Sequence, residues 1–435
     1  MSFRRALGPF DATMIVIGGI IGSGIFINPY LVARQLDSTG LVLLAWVAGG
    51  AIALAGAFAY AELGQRLPRA GGQYVYLSEA WHPLVGFLYG WALLFMIETG
   101  AMAAVAITFA QYASRMTGGT GADPQLIAVA AIVVLSVINY VGVKPGSQVL
   151  NVFVILKVAA IGALILFAWS GPAAPGWMTA VRIDDTPSTA LTFGVALIPI
   201  LFAYGGWQNA NYVAEEMRDP RRDLPKSLIL GTFVVVAVYL LANVAYVRTL
   251  GLDGLAATET PAAEAAGRWF GSLGERLIAG AIAISTFGFL NLAILAPTRV
   301  YFAMARDGVF VPALARLHPR FQTPAWAIVV QSAWAIVLTL TGTYGDLLNT
   351  VVFADWIFFG LTVAGLLILR SRQPNTDGFR TPWYPWLPGA FVVVALVVVY
   401  SVVSTDPWRS AAGAALLLLG VPVYYLFRRQ SRHAQ

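Results

Sequence analysis

The sequence predicts an all-α membrane protein, one transmembrane domain over residues 1–435, with about twelve spans of which the first and sixth are interrupted. Three observations predict it. Hydrophobic residues make up 58% of the 435 and charged residues 11%, against about 25% charged in an ordinary soluble domain, and the mean hydropathy is +0.73. Uncharged runs of roughly 20 residues, the length that crosses a hydrocarbon core, recur along the whole chain. Two of them carry glycines at mid-depth: "GGIIGSGIF" at 18–26 and "PILFAYGGWQ" at 199–208.

Taken in order, the spans begin near Asp11, Leu41, Leu84, Leu126, Leu150, Leu191, Leu228, Leu277, Ala325, Leu347, Phe391 and Ala411. The first follows only "MSFRR" and lacks a small-residue cleavage site. It therefore reads as a mature span, with the mature chain starting at or near Met1, rather than as a signal peptide. With the N-terminus inside, most of the 27 Lys and Arg fall in inner segments, among them Arg4, Arg5, Arg66, Arg69, Lys144, Arg221 and Arg222. This positive-inside bias accounts for the formal charge of +6 without a nucleic-acid partner, and it places both termini in the cytoplasm of a cell-membrane protein.

The absence of cysteine excludes disulfides, thiolate metal sites and cysteine nucleophiles together. His82, His318 and His433 all fall in inner loops or the tail, and there is no H-E-x-x-H pattern. A zinc centre or a hydrolase is therefore unsupported, and neither metal nor cofactor is expected. A channel would need a filter-like segment, which the chain does not show.

The remaining signal is the pair of interruptions. Span one breaks at Gly22, Ser23 and Gly24, and span six at Pro199, Gly205 and Gly206. Broken segments at corresponding places in two halves point to a transporter built from repeats. An odd number of spans per half inverts the second half, giving repeats at about 8–170 and 189–370, with helices eleven and twelve (about 386–428) outside them. A cut helix exposes carbonyls at the end of its first piece and amides at the start of its second. Carbonyls around Gly18 to Ile21 would attract an ammonium group, and amides around Ser23, Gly24 and Ile25 a carboxylate. Carbonyls near Phe202, Ala203 and Tyr204 add acceptors for the ammonium. A zwitterion with both groups on one carbon fits these poles. Close helix packing is the other use of such glycines.

"GGIIGSGIF", "RLPRAGGQYVYL" and "FAYGGWQNANYVAEEMRDPRRDLPKSL" resemble the amino acid transporters of the amino acid, polyamine and organocation (APC) superfamily, most closely the L-amino acid transporter branch. The resemblance implies the LeuT-type fold, a five-plus-five inverted repeat with two further helices that works by alternating access. It implies substrate main-chain contacts at Ile20, Gly22, Ser23, Gly24, Ile25, Phe202, Ala203 and Gly205, with Phe202 as an outer aromatic gate. It also implies that Lys157 replaces the sodium ion which, in coupled members of this fold, ties span one to span eight. Its expected partners are carbonyls near Gly18 and Gly19 and the hydroxyl of Ser285 or Thr286, and transport should need no sodium.

Lys157 lies about ten residues into span five, roughly 15 Å from either end, and needs such partners. Glu98, midway along span three, is protonated, paired or facing a wet cavity. It carries a proton, biases the site toward cationic substrates, or is a satisfied structural carboxyl. Asp355, nearer the end of span ten, is expected to pack against a neighbouring helix or hydrogen-bond to it. Glu215, Glu216, Asp219, Arg221 and Arg222 form either a solvated loop or an inner gate with Arg4, Arg5 or Arg69. Asn209 and Asn211 either line the side-chain pocket or bond between helices.

The expected function is sodium-independent transport of L-amino acids, neutral ones by the small residues near Gly100 and the apolar span ten, by exchange or with protons as a coupling partner. The alternatives are cationic amino acids or polyamines, or a non-transporting sensor on the same fold. Substrate and lipid bilayer are the expected partners. No disulfide-linked heavy subunit is expected in a chain without cysteine.

Overall fold

The computed structural model describes residues 5, 7–69, 71–118, 123–141, 147–179, 187–321, 323–374 and 378–433. Arg4 and Lys144, counted above on the inner side, lie outside them. The described chain is helical throughout: α1 Pro9–Ile20, α2 Gly24–Ala33, α3 Thr39–Arg66, α4 Gln73–Ala80, α5 Pro83–Ala92, α6 Glu98–Met116, α7 Pro124–Val141, α8 Ser147–Phe167 and α9 Pro187–Ala203. There follow α10 Asn209–Tyr212, α11 Pro220–Ala256, α12 Pro261–Leu295, α13 Thr298–Arg306, α14 Ala325–Thr341, α15 Tyr344–Arg372, α16 Trp386–Thr405 and α17 Pro407–His433. A π-helical turn, Leu93–Ile97, joins α5 to α6.

Proline opens α1, α5, α7, α9, α11, α12 and α17, where its missing N–H costs nothing and its fixed φ suits the first turn. Elsewhere side chains cap the helix. Ser38 accepts from the Leu41 N–H at 3.3 Å, and Thr343 and Asp346 form a reciprocal capping box on α15. Among the described residues, nine helical stretches are long and apolar enough to cross a membrane, and three shorter apolar helices, Asn151–Phe167, Leu191–Ala203 and Ala325–Thr341, accompany them. Leu126, Phe233, Leu277 and Leu396 are exposed on the outside of the bundle, where lipid rather than water satisfies them.

Two helices begin earlier than their apolar runs. α11 starts at Pro220 rather than near Leu228 and α12 at Pro261 rather than near Leu277, because helix continues through charged turns that hydropathy assigns to loops. Each is kinked at a glycine with positive φ, Gly251 at 72° and Gly271 at 62°.

The most extensive pairings set α3 along α11 and α6 along α12. On the face carrying the N-terminus, a buried ion cluster ties three segments together. Glu62 on α3, 1% exposed, accepts from Arg66 at 2.8 Å, pairs with Arg370 of α15 at 3.2 Å and takes the Thr381 N–H at 2.8 Å. Removing the carboxylate strands two guanidinium groups, a loss of about 3–5 kcal/mol. Glu62→Ala is therefore expected to lower the thermal unfolding midpoint in detergent by several degrees; an unchanged midpoint would show that water replaces the cluster at no cost.

Candidate functional site

The chain leaves helical geometry twice near the middle of the bundle. α1 ends at Ile20, and Ile21, at ψ 80°, turns its carbonyl away from the helix axis. The Gly22 N–H returns to the Ile20 carbonyl at 2.8 Å, and helix resumes with the Phe26 N–H on the Ser23 carbonyl at 3.0 Å. Among the described residues, no backbone acceptor meets the Ser23, Gly24 or Ile25 amides. In the second break α9 stops at Ala203, Gly205 donates to the Phe202 carbonyl at 3.1 Å, and Gly206, at φ 101°, donates to the Gln208 side chain at 2.9 Å.

The two breaks interlock through backbone. A Cβ on Gly19 would sit 2.7 Å from the Gly206 carbonyl oxygen, and one on Gly24 would lie 2.5 Å from the Ala203 Cβ. Glycine is required here because the helices cross at main-chain distance. Between them lies a cavity of about 60 Å³, walled on one side by Gly19, Ile20, Gly22, Ser23 and Gly24 and on the other by Phe202, Ala203, Gly205, Gly206 and Asn209. That volume exceeds what one water needs, about 10–15 Å³. Of the main-chain contacts expected from the sequence, Ile25 alone is absent from the wall; its side chain is fully buried.

Phe202 lines the cavity and stands edge-on to the Tyr344 ring at 6.3 Å. The Tyr344 hydroxyl donates to Asn28 at 2.8 Å, and Asn28 donates to the Pro199 carbonyl at 2.5 Å, so α2, α9 and α15 are joined behind the ring. Toward the N-terminal face Trp207 packs on Tyr60 at 4.5 Å and on Phe359 at 5.0 Å. The Ser23 hydroxyl lies on the cavity wall, 1% exposed, with no hydrogen bond of its own.

Lys157 reaches the first break by a different contact from the one expected. Its Nζ donates to the Ile21 carbonyl at 2.9 Å and stands 5.9 Å from the Phe289 ring of α12; Gly18 and Gly19 are not its partners. The reason is the turn at Ile21, which aims that carbonyl outward, whereas Gly19 is taken up against Gly206. Thr286 spends its hydroxyl on the Ile282 and Ala283 carbonyls of its own helix, and the Ser285 hydroxyl is buried without a partner. Span eight is therefore met through an aromatic face.

Glu98 follows the π-helical turn and lines the cavity. Asp355 also lines it, 9% exposed, and its Oδ1 has no hydrogen-bond partner. Of the two expected roles, the hydrogen bond to a neighbouring helix is not made by this oxygen, and one turn of α15 sets Asp355 on the cavity wall with Trp356 and Phe359. Gly100 is not on the wall, which α6 forms with Ile97, Glu98, Ala101 and Val105. Asn209 lines the cavity, while Asn211 accepts from Tyr76 at 2.9 Å as a contact between helices.

The described inner-side pairs are not those of the gate alternative, of which Arg4 lies outside the described residues. Glu216 pairs with Arg299 at 3.7 Å, Arg69 with Glu79 at 2.5 Å, and Leu7 pairs with Met217 by backbone. Sequence reasoning missed Gln208, Phe289, Trp356 and Phe359 as lining residues. Only the helical spacing of Val352, Asp355, Trp356 and Phe359, i to i+7, carried a hint that they share a face.

A family model described as amino acid permease matches residues 7–426. The chain is 32% identical over 434 residues to the serine/threonine exchanger SteT of Bacillus subtilis (strain 168), covering 98% of each. It is 31% identical over 452 residues to large neutral amino acids transporter small subunit 2 of Homo sapiens, covering 98% of this chain and 81% of that one. To the human b(0,+)-type amino acid transporter 1 it is 30% identical over 443 residues, with 98% and 88% covered.

Proposed function

Because the chain belongs to the amino acid permease family of the APC superfamily, a family of membrane transporters rather than enzymes, we propose that it exchanges L-amino acids across the cell membrane without sodium, by alternating access on a LeuT-type fold. The observation that carries this reading is the meeting of the two helix breaks, backbone against backbone, on one cavity. The unpaired amides at Ser23, Gly24 and Ile25 would hold the carboxylate, aided by the positive end of α2. The carbonyls ending α1 and α9 would hold the ammonium, and the Ser23 hydroxyl would donate to the carboxylate.

Twelve crossings follow if the three shorter apolar helices span with the nine long ones. The pairing of α3 with α11 and of α6 with α12 supports the inverted repeat, since these are the second and third spans of each half. On this reading the repeats occupy about 8–170 and 189–370, and α16 and α17 stand outside them. Both termini are cytoplasmic by the charge bias. Phe202 gates the outer end and Lys157 stands where a coupling cation would bind. Exchange is preferred to proton-coupled uptake because the Bacillus relative, similar over its full length, is named an exchanger. The absence of cysteine leaves no means of attaching a disulfide-linked subunit.

The test is counterflow. Proteoliposomes loaded with unlabelled amino acid should accumulate labelled amino acid from outside, at the same rate when choline replaces sodium. Strict sodium dependence would sink the sodium-free mechanism. Failure of every amino acid to drive counterflow would sink the transport reading.

A further inference from the structure

The backbone poles account for one end of an amino acid and leave two side chains of the cavity unexplained. Glu98 comes from α6 and Asp355 from α15; they are 8% and 9% exposed, and both face the cavity. Among the described residues no Lys, Arg or His lines the cavity, and the titratable groups around the pair are the buried tyrosines Tyr60, Tyr89, Tyr212 and Tyr301. Two of these, Tyr89 and Tyr212, bond each other. Asp355 lines the cavity, and its Oδ1 is buried with no hydrogen-bond donor. Lys157 serves the Ile21 carbonyl from outside the cavity wall.

A carboxylate taken out of water demands an opposite charge or hydrogen-bond donors. The protein presents two such groups and leaves one oxygen wholly unmet. We propose that Glu98 and Asp355 form the side-chain half of the site and select amino acids whose short side chain ends in a cation. The inference rests on the reading of the helix breaks as the main-chain half. The modest cavity, about 60 Å³, favours a short side chain over a long one. A hydroxyl terminus offers one neutral donor and ranks second. A methyl terminus leaves both carboxylates unmet and ranks last, because hydrogen bonds to charged groups exceed neutral ones in strength.

The test uses three L-amino acids that differ in one terminal group: 2,4-diaminobutyrate, homoserine and norvaline. Binding of each to the purified full-length protein at neutral pH is measured by calorimetry, together with counterflow. Wild type should bind 2,4-diaminobutyrate at least about tenfold more tightly than norvaline, with homoserine between. In Asp355→Asn and in Glu98→Gln, near-isosteric changes chosen to preserve the fold, that ratio should fall toward one. Norvaline binding as tightly as 2,4-diaminobutyrate in wild type would overturn the proposal, a result that needs no variant. So would a ratio unchanged in both variants, or variants that alter only the pH dependence of norvaline uptake, which would make the pair a proton site. If none of the three binds while another amino acid drives counterflow, the present inference falls and the transport reading stands, as it does if norvaline binds without discrimination; if no amino acid drives counterflow, the transport reading itself falls.

Discussion

Gly206→Ala is expected to reduce the initial rate of amino acid uptake in proteoliposomes by about tenfold to a hundredfold. Gly206 sits at φ 101°, a conformation that a side chain rarely tolerates, and an added Cβ would be driven into the Gly19 carbonyl, 2.7 Å from its carbon atom. Strain of this kind costs about 1–3 kcal/mol, and each 1.4 kcal/mol is about a factor of ten in an equilibrium constant. The chain can relieve the overlap only by moving α10 away from α1, which separates the poles that the substrate would bridge. Gly162→Ala on α8 is the control, because its Cβ would meet nothing within 4 Å and alanine favours helix there. Wild-type uptake by Gly206→Ala would show that the two breaks need not touch.

This interlock marks the limit of what the sequence could show. Glycines at Gly22, Gly24, Gly205 and Gly206 announced two cut helices, because poor helix formers placed at membrane depth at matching positions of two halves need a reason beyond close packing. That Gly19 opposes Gly206 and that Gly24 opposes Ala203 depends on how α1 and α9 cross, which no local pattern encodes. Hydropathy located the apolar helices but not the N-terminal ends of α11 and α12, where charged turns remain helical.

Side-chain direction was the least legible feature. Glu98 could be recognised as an intramembrane carboxylate, yet its entry into the cavity follows a π-helical turn, Leu93–Ile97, in which one extra residue shifts the facing of all that follows. Asp355 was assigned to packing or hydrogen bonding with a neighbouring helix because its place near the end of an apolar run gives no sign of which neighbour it faces. Lys157 was legible as a buried cation in need of a carbonyl. Which carbonyl it finds is set by ψ at Ile21, a value fixed only once the helix has broken.

Lys157→Met should have an effect of comparable size. The substitution keeps the length and apolar stem of the side chain but removes the ammonium that meets the Ile21 carbonyl at 2.9 Å. That carbonyl lies in the turn between α1 and α2, buried away from water. An unsatisfied buried acceptor costs about 1–3 kcal/mol, and the turn can recover it only by refolding around a different bond, which displaces the amides of Ser23 and Gly24. Uptake should fall about tenfold or more, while the thermal unfolding midpoint changes less than in Glu62→Ala, where two arginines are stranded. Sodium should not restore transport in Lys157→Ala either. The vacated position would offer the Ile21 carbonyl and the face of Phe289, too few oxygen atoms to replace the hydration shell of a hard cation. Restoration by sodium would show that a latent ion site persists beneath the lysine. Undiminished uptake by Lys157→Met would remove the ammonium from the mechanism and leave it a packing element of α8.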